Sequence, residues 1–197
     1  MIFKTFSLWT QIYFYLSSLN NLDLHSKNLI FIDIDNTLIT PTTHLGSDHF
    51  FDWQVDLIQK KDPLALADSI PNLLETLFQL WSYIDYRLCD DNIDEVLKKL
   101  INNFNSDLLL CTARSIKSNE VTVNSLNKFN LTQYLSQNIL NGESIKNNNL
   151  KFEIKNGIIY CNGQDKGLII NAVTEDISKS YKYIVLIDDK ISNLDKF

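Results

Sequence analysis

Three short apolar runs, each followed by acidic or polar residues, constrain the fold of this chain more than any other feature. They cover residues 28–34, 107–112 and 183–188, and a weaker run covers residues 157–161. Apolar runs of this length, bounded by polar residues, are typical of strands that are buried on both faces of a parallel sheet. We therefore predict four strands of one sheet.

Helical patterns separate these runs. Residues 92–104 place apolar side chains on one face, with Asp91 or Asn92 as the capping residue, and residues 116–129 and 166–177 are two further helices. Strands that alternate with helices imply parallel strands joined by right-handed crossovers. The predicted class is therefore α/β, with a three-layer, Rossmann-like core.

The stretch between residues 45 and 90 interrupts this alternation. It holds two of the three prolines and no strand pattern, and Asp62 followed by Pro63 is typical of a helix start. Residues 72–84 show another apolar helix face. We predict that a small helical insertion at residues 45–90 divides an α/β core formed by residues 1–44 and 91–197.

The N-terminal residues predict a helix that packs on the core. Phe6, Trp9, Tyr13 and Leu16 recur at three- and four-residue steps. No small-residue cleavage site follows this apolar segment, which argues against a secretion signal. No stretch of the sequence is long and apolar enough to predict a membrane span.

The net charge and the cysteines narrow the class of protein further. A formal net charge of −6 does not favour binding to nucleic acid or to an anionic membrane, so any phosphate site must be built locally from a metal and a few cations. Cys89, Cys111 and Cys161 are odd in number and lack Cys-x-x-Cys spacing. Neither a disulfide framework nor a structural zinc site is predicted, and the expected location is the reducing cytoplasm.

The predicted strands end in residues that can carry chemistry. Asp33 and Asp35 stand at the end of the first strand, Thr112 and Arg114 at the end of the second, and Asp188 and Asp189 at the end of the last, while Lys166 begins the helix before it. The carboxyl ends of parallel strands meet at one edge of the sheet, where ligands bind. Two carboxylates about 4 Å apart repel each other by ~4 kcal/mol at an effective dielectric constant of ~20. A hard divalent cation with oxygen ligands relieves this repulsion, and Mg²⁺ is the metal we predict.

These strand ends resemble the four motifs of the haloacid dehalogenase-like (HAD) superfamily. Residues 33–38, Asp-Ile-Asp-Asn-Thr-Leu, resemble the first motif, Asp-x-Asp-x-Thr. Thr112 is similar to the second motif, Lys166 to the third, and Asp188-Asp189 with Asn193 to the fourth, in the order that the superfamily has them. A helical insertion after the first motif resembles the C1-type cap of this superfamily. Residues 45–48 and 163–167 are similar to a bacterial subgroup of it.

The resemblance implies a fold and a set of roles. The fold is a HAD-like core with a small cap, and the activity is Mg²⁺-dependent hydrolysis of a small phosphorylated substrate. Asp33 becomes the nucleophile that forms an aspartyl-phosphate, and Asp35 the general acid and base. Thr112 and Lys166 bind the phosphate. Mg²⁺ is bound by Asp33, Asp188 and the backbone carbonyl of Asp35. Asp189 and Asn193 hold these ligands in place without binding the ion.

Other interpretations stay open at this point. Asp-x-Asp after a strand can be a solvated turn, Thr112 or Lys166 alone is commonplace, and Arg114 is interpreted as a structural or helix-entry residue. Two alternative functions remain. One is phosphotransfer to an acceptor other than water, and the other is a catalytically weak or truncated HAD-like binding or effector module.

Cores of this superfamily continue with a further strand beside the last one here. The strand that ends at Asp188 is therefore expected at a sheet edge, unless a partner or the N-terminal helix covers it.

Overall fold

The four apolar runs of the sequence lie side by side in one sheet. The structure is a computed structural model that describes residues 4–19, 26–137, 139, 150–177 and 180–196. The order of its elements is α1 (Trp9–Ser18), β1 (Asn28–Asp33), β2 (Ile39–Pro41), α2 (Asp48–Lys60), α3 (Ile70–Trp81), β3 (Tyr86–Leu88), α4 (Ile93–Phe104), β4 (Ser106–Thr112), α5 (Asn119–Asn127), β5 (Glu153–Lys155), β6 (Ile158–Tyr160), α6 (Lys166–Ile177), β7 (Tyr183–Ile187) and α7 (Ile191–Leu194), with short 3₁₀ helices at Ile116–Ser118 and Leu131–Tyr134.

The five strands of the main sheet have the order β5-β6-β4-β1-β7 within the described residues. β1 pairs in parallel with both β4 and β7, and β4 pairs in parallel with β6, whereas β5 is antiparallel to β6. The register sets Asp33 opposite Cys111 and Ile32 opposite Ile187. The predicted α/β class is therefore confirmed, and the carboxyl ends of β4, β1 and β7 meet at one edge of the sheet.

Side chains of alternate residues in β1 enter two separate apolar layers. Ile30 and Ile32 pack with residues of α1 and α4 on one face, whereas Leu29 and Phe31 pack with residues of α6 on the other. All six residues of β1 are buried, as expected for a strand covered on both faces. Each such large apolar side chain contributes about 1.5–3 kcal/mol by leaving water. The result is the predicted arrangement of three layers, with helices on both sides of the sheet.

The helix predicted near the N-terminus lies against the loop that follows β1. In α1, Trp9 and Leu16 are buried. The indole Nε1 of Trp9 donates to the backbone oxygen of Thr37 at 3.1 Å. The backbone N–H of Trp9 donates to Asp90 Oδ2 at 2.9 Å. Among the residues that the structure describes, no helix is long and apolar enough to cross a membrane.

β7 forms one edge of the described sheet, as the sequence predicted. Its five residues are only half-buried, unlike those of β1. The N-terminal segment runs beside this edge and leaves a cavity of about 460 Å³, lined on one side by residues such as Trp9 and Leu16 and on the other by Val185 and Ile187. α1 therefore lies beside the edge strand and does not close it off completely.

The stretch between residues 45 and 90 corrects two predictions. It contains a strand, β3, which pairs antiparallel with β2, and Ile39 lies opposite Leu88. Asp62 was predicted to start a helix, but it lies in the turn that follows α2. Its Oδ1 accepts from the backbone N–H of Leu64 at 2.9 Å. An aspartate side chain satisfies a turn as readily as a helix start, and here the turn is formed. The next helix, α3, begins instead at Ile70, with Pro71 in its first turn.

The other predicted helices form with small changes in their ranges, although Asn92, which precedes α4, makes no side-chain capping hydrogen bond. α4 and α6 occupy the ranges expected from their apolar spacing. The helix expected over residues 116–129 is divided, because the chain first forms a 3₁₀ turn at Ile116–Ser118 and then α5. Its start depends on Ser115, whose side chain accepts from the backbone N–H of Lys117.

Candidate functional site

The loop after β1 turns sharply at the carboxyl edge of the sheet. The backbone N–H groups of Leu38 and Ile39 both donate to the oxygen of Ile34, at 3.0 and 3.1 Å. Asn36 has a φ of 61°, in the left-handed region that asparagine tolerates better than most residues. Ile34 and Leu38 are fully buried and anchor the loop. The polar residues between these anchors are thereby held at the strand end.

Three carboxylates meet at this edge. One oxygen each from Asp33, Asp188 and Asp189 lies within 4.8 Å of the others. Asp33 is only 2% exposed, so its charge is shielded little by water. These side chains come from the ends of two neighbouring parallel strands, β1 and β7, as the sequence predicted. The group could hold a metal ion.

Thr37 connects two of these acidic residues. Its hydroxyl donates to Asp33 Oδ2 at 3.2 Å and accepts from the backbone N–H of Asp189 at 3.2 Å. Thr37 belongs to the first motif, but the sequence analysis assigned it no role of its own. Its position four residues after Asp33 could have indicated this contact. The hydroxyl reaches the Asp33 carboxylate because the loop turns back on itself.

Asp188 is held by the residues that follow it. Its Oδ1 accepts from the backbone N–H of Lys190 and from Asn193 Nδ2, both at 2.8 Å. Asn193 lies in α7, which packs closely against α6. A Cβ at Gly167 would meet the backbone oxygen of Asn193 at 2.7 Å, so only glycine permits this approach. The contact between these two helices therefore places the Asn193 amide beside Asp188.

Lys166 places a positive charge among the carboxylates. It is the first residue of α6 and is 7% exposed. Its Nζ forms a close ion pair with Asp33 and donates to Asp188 Oδ2 at 3.1 Å. Although burial opposes it, the charges of Asp33 and Asp188 raise the pKa of Lys166, so the amine stays protonated. The lysine therefore neutralises only part of the acidic group.

The remaining negative charge shows in the pKa values of the carboxyl groups. Burial, which outweighs the attraction of Lys166, raises the pKa of Asp33 to about 8, and the charges of Asp188 and Asp35 add to this effect. Burial and then the charge of Asp188 also raise the pKa of Asp189. In the absence of a cation this site therefore holds protons at pH values where carboxyl groups are normally ionised. A divalent ion would take their place.

Asp35 lies beside the acidic group but has different partners. Thr112 Oγ1 donates to Asp35 Oδ2 at 3.4 Å, and Thr112 is fully buried at the end of β4. The guanidinium of Arg114 binds both oxygens of Asp35, with Nε to Oδ2 at 3.0 Å and Nη2 to Oδ1 at 2.6 Å. The Asp35 side chain keeps 34% of its surface exposed.

The structure thus brings the predicted residues together at one edge. Asp33, Lys166, Asp188, Asp189 and Asn193 form one network of contacts, and Asp35 with Thr112 adjoins it. A carboxylate oxygen of Asp189 lies within 4.8 Å of oxygens of Asp33 and Asp188, which makes Asp189 a candidate metal ligand as well. The sequence did not predict the pairing of Arg114 with Asp35, because the two residues are 79 positions apart and no spacing pattern links them.

The fold and the site define an α/β protein with a mostly parallel sheet and a candidate metal site at its carboxyl edge. The chain belongs to the family described as protein of unknown function (DUF2608), whose sequence pattern matches residues 7–197. No curated protein and no solved structure matches the chain. The family match spans both the acidic strand ends and the residues between them, and the parallel sheet is compatible with a HAD-like fold.

Proposed function

We propose that this protein is a HAD-like, Mg²⁺-dependent phosphohydrolase that cleaves phosphate monoesters through an aspartyl-phosphate on Asp33. One observation carries the proposal: Asp33 contacts Lys166 and lies against Asp188 and Asp189, although these residues come from three separate parts of the chain. The four stretches that resemble the HAD motifs also supply these residues in the order of the superfamily.

The donor set suits Mg²⁺. The three carboxylates offer only oxygen atoms, which hard cations prefer, and Mg²⁺ commonly combines one or two carboxylates with water and a substrate phosphate. Asp33, Asp188 and the backbone carbonyl of Asp35 would hold the ion, with Asp189 as a further ligand or as the acceptor of a bound water. When bound, the ion supplies positive charge that stabilises the transferring phosphoryl group.

The residues of this chain divide the reaction into two displacements. In the first, a carboxylate oxygen of Asp33 bonds to phosphorus, the bond from phosphorus to the ester oxygen breaks, and Asp35 gives a proton to the departing alcohol. In the second, Asp35 takes a proton from water as that water attacks phosphorus and releases Asp33. The contacts of Lys166 and Thr37 orient the Asp33 carboxylate for both steps.

The phosphate would be held by the cations and donors at the same edge. Lys166 lies against the nucleophile and would neutralise the transferring oxygens, which is a large contribution in a site that excludes water. Thr112, at the end of the neighbouring strand β4, would donate its hydroxyl to a phosphoryl oxygen instead of to Asp35. The negative charge of the whole chain makes this local positive charge necessary.

Residues 45–90 would act as a small cap over this edge. Lys190, next to the acidic group, forms an ion pair with Asp48 at the start of α2 at 2.8 Å, so the insertion begins beside the site. We infer a small phosphorylated metabolite as the substrate because the cap is small, and no nucleic acid because the net charge is −6. We also propose the reducing cytoplasm as its location, as the number and spacing of the cysteines in the sequence predict.

The test is hydrolysis of para-nitrophenyl phosphate and of a panel of phosphorylated metabolites, with Mg²⁺ and with a chelator. Turnover should need Mg²⁺ and should be abolished by Asp33→Asn, whereas the matched control Asp56→Asn, on the exposed face of α2, should behave as the wild type. Mass spectrometry of acid-quenched protein should find a phosphoryl group on the peptide that contains Asp33.

Turnover that persists in Asp33→Asn would refute the nucleophile. A folded protein that neither binds Mg²⁺ nor turns over any substrate would favour a binding or effector module. Transfer of the phosphoryl group to added alcohols in preference to water would identify a phosphotransferase.

A further inference from the structure

Arg114 joins the proposed acid and base to the insertion. Its guanidinium, whose side chain is 3% exposed, binds both oxygens of the Asp35 carboxylate. The ring of Trp81, at the end of α3, lies 4.8 Å from the guanidinium carbon, and the ring of Tyr86, in β3, lies 5.7 Å from it. Trp81 and Tyr86 both belong to residues 45–90, whereas Asp35 belongs to the loop after β1.

The other donors of Arg114 are also engaged by the protein. Nη1 donates to Thr122 Oγ1 at 3.0 Å, and Nη2 donates to the hydroxyl of Tyr86 at 3.4 Å. Each of the three guanidinium nitrogens therefore has a protein acceptor, and an aromatic ring covers one face. A guanidinium held in this way is not disposed to bind a substrate, but its planar fork fixes the orientation of a paired carboxylate.

We propose that Arg114 is a positioning residue that aims Asp35, and that Trp81 and Tyr86 of the insertion hold Arg114 in place. The proposal rests on the proposed function, because it takes Asp35 as the general acid and base. Asp35 keeps a third of its side chain exposed, so its surroundings alone do not fix its rotamer. A bidentate pair with a buried arginine does, and it connects the position of the insertion to the chemistry at the strand edge.

The direct test compares Arg114→Lys with the wild type on two substrates. Lysine keeps the charge but lacks the planar fork that forms two parallel hydrogen bonds to the Asp35 carboxylate. General acid catalysis acts in the first displacement, which kcat/KM reports, and it matters most for a poor leaving group. The kcat/KM for glycerol phosphate should therefore fall by ~10–10², part of the ~10²–10⁴ that acid and base catalysis supplies. The kcat/KM for para-nitrophenyl phosphate, whose leaving group departs without a proton, should fall by less than about threefold, because the second displacement, which is common to both substrates, does not enter this ratio.

A double-mutant cycle shows whether Arg114 acts through Asp35. Asp35→Asn alone should slow hydrolysis of glycerol phosphate by ~10²–10⁴ while Mg²⁺ binding is kept. Adding Arg114→Lys to Asp35→Asn should cost little more, because both changes remove the same function. Losses in kcat/KM that multiply would overturn the proposal.

A second variant covers the case in which Arg114→Lys does not fold. Trp81→Leu removes the ring that packs on the guanidinium but leaves the ion pair with Asp35. It should reduce activity less than Arg114→Lys does, and again more on glycerol phosphate than on para-nitrophenyl phosphate. Trp53→Leu is the matched control, since Trp53 lies in α2 of the same insertion, is half exposed and packs on Phe50. Equal effects of the two tryptophan changes, or equal losses on both substrates, would refute the coupling.

Failure of this inference is distinct from failure of the proposed function. If Asp33→Asn abolishes turnover while the Arg114 and Trp81 variants hydrolyse both substrates at the wild-type rate, the phosphohydrolase stands and only the positioning role is lost. If turnover survives Asp33→Asn, the reaction itself has been misassigned.

Discussion

The Nζ atom of Lys166 lies between Asp33 and Asp188 and donates a hydrogen bond to each. The three residues come from the start of α6, the end of β1 and the residue after β7. One buried amine therefore joins the two strand ends on which the proposed metal site depends, and the first prediction concerns its removal.

Lys166→Met should reduce kcat/KM by ~10²–10³, because a preorganised positive charge beside the transferring group is lost. The ion would also no longer be repelled by the lysine charge, so the variant should need less Mg²⁺ for half-maximal activity. Lys60→Met is the control, since Lys60 pairs with Asp56 on an exposed face of α2. Steady-state kinetics across Mg²⁺ concentrations measure both effects, and an unchanged kcat/KM would contradict the role of the lysine.

The second prediction concerns pH and the stability of the metal-free protein. The pKa of Asp33 rises from 3.8 to about 8, mainly through burial. Between these values the folded protein binds a proton that the unfolded chain does not, so this residue lowers the free energy of unfolding as pH rises, by up to about 1.4 kcal/mol per pH unit. With a chelator present, we expect the wild type to lose stability relative to Asp33→Asn between about pH 6 and pH 8.

Mg²⁺ should reverse that trend, because the ion replaces the proton on Asp33. Binding should strengthen with pH over the same interval and should release protons. Calorimetric titrations in two buffers of different ionisation enthalpy count the released protons. Mg²⁺ affinity that is independent of pH would show that Asp33 is already ionised in the metal-free protein.

The third prediction tests the hydroxyl that connects Asp33 with the loop after β7. Thr37→Val keeps the shape of the side chain but removes the donor to Asp33 and the acceptor for the backbone N–H of Asp189. An unsatisfied buried group costs about 1–3 kcal/mol, so the free energy of unfolding should fall by that amount. Thr76→Val is the control, since Thr76 is half-buried in α3 and its hydroxyl donates only to the backbone oxygen of Asn72 in the same helix; it should change the free energy of unfolding by less than about 0.5 kcal/mol. Urea unfolding distinguishes the two, and equal losses would argue against the connection.

The fourth prediction concerns the close approach of α6 and α7. Gly167→Ala places a Cβ 2.7 Å from the backbone oxygen of Asn193 and 2.7 Å from Lys196 Cβ, so the two helices must separate. We expect a loss of about 1–3 kcal/mol of stability, as for overpacking in other cores. Mg²⁺ binding should weaken too, because Asn193 moves away from Asp188. Leu168→Ala, at the half-exposed neighbouring position, should leave Mg²⁺ binding unchanged. Wild-type affinity in Gly167→Ala would exclude this route from helix packing to the site.

The sequence by itself determined four of the described strands, their class and the residue types at their ends. The segment around Phe31 is a strand buried on both faces, because a short apolar run between polar residues leaves few other ways to bury it. Asp33 is the last residue of this strand, and Asp188 directly follows the half-buried strand β7. Their meeting at one edge follows from parallel pairing, which alternation of strands and helices already implied.

Only the tertiary structure decided which side chains contact one another across the chain. The turn at Asp62, the pairing of β2 with β3 and the bond from Thr37 to the Asp189 backbone depend on where distant segments pack. The pairing of Arg114 with Asp35 is the clearest case. Either residue could have faced water, and burial beside Trp81 is what made an ion partner necessary for the arginine, because a buried charge without one is too costly.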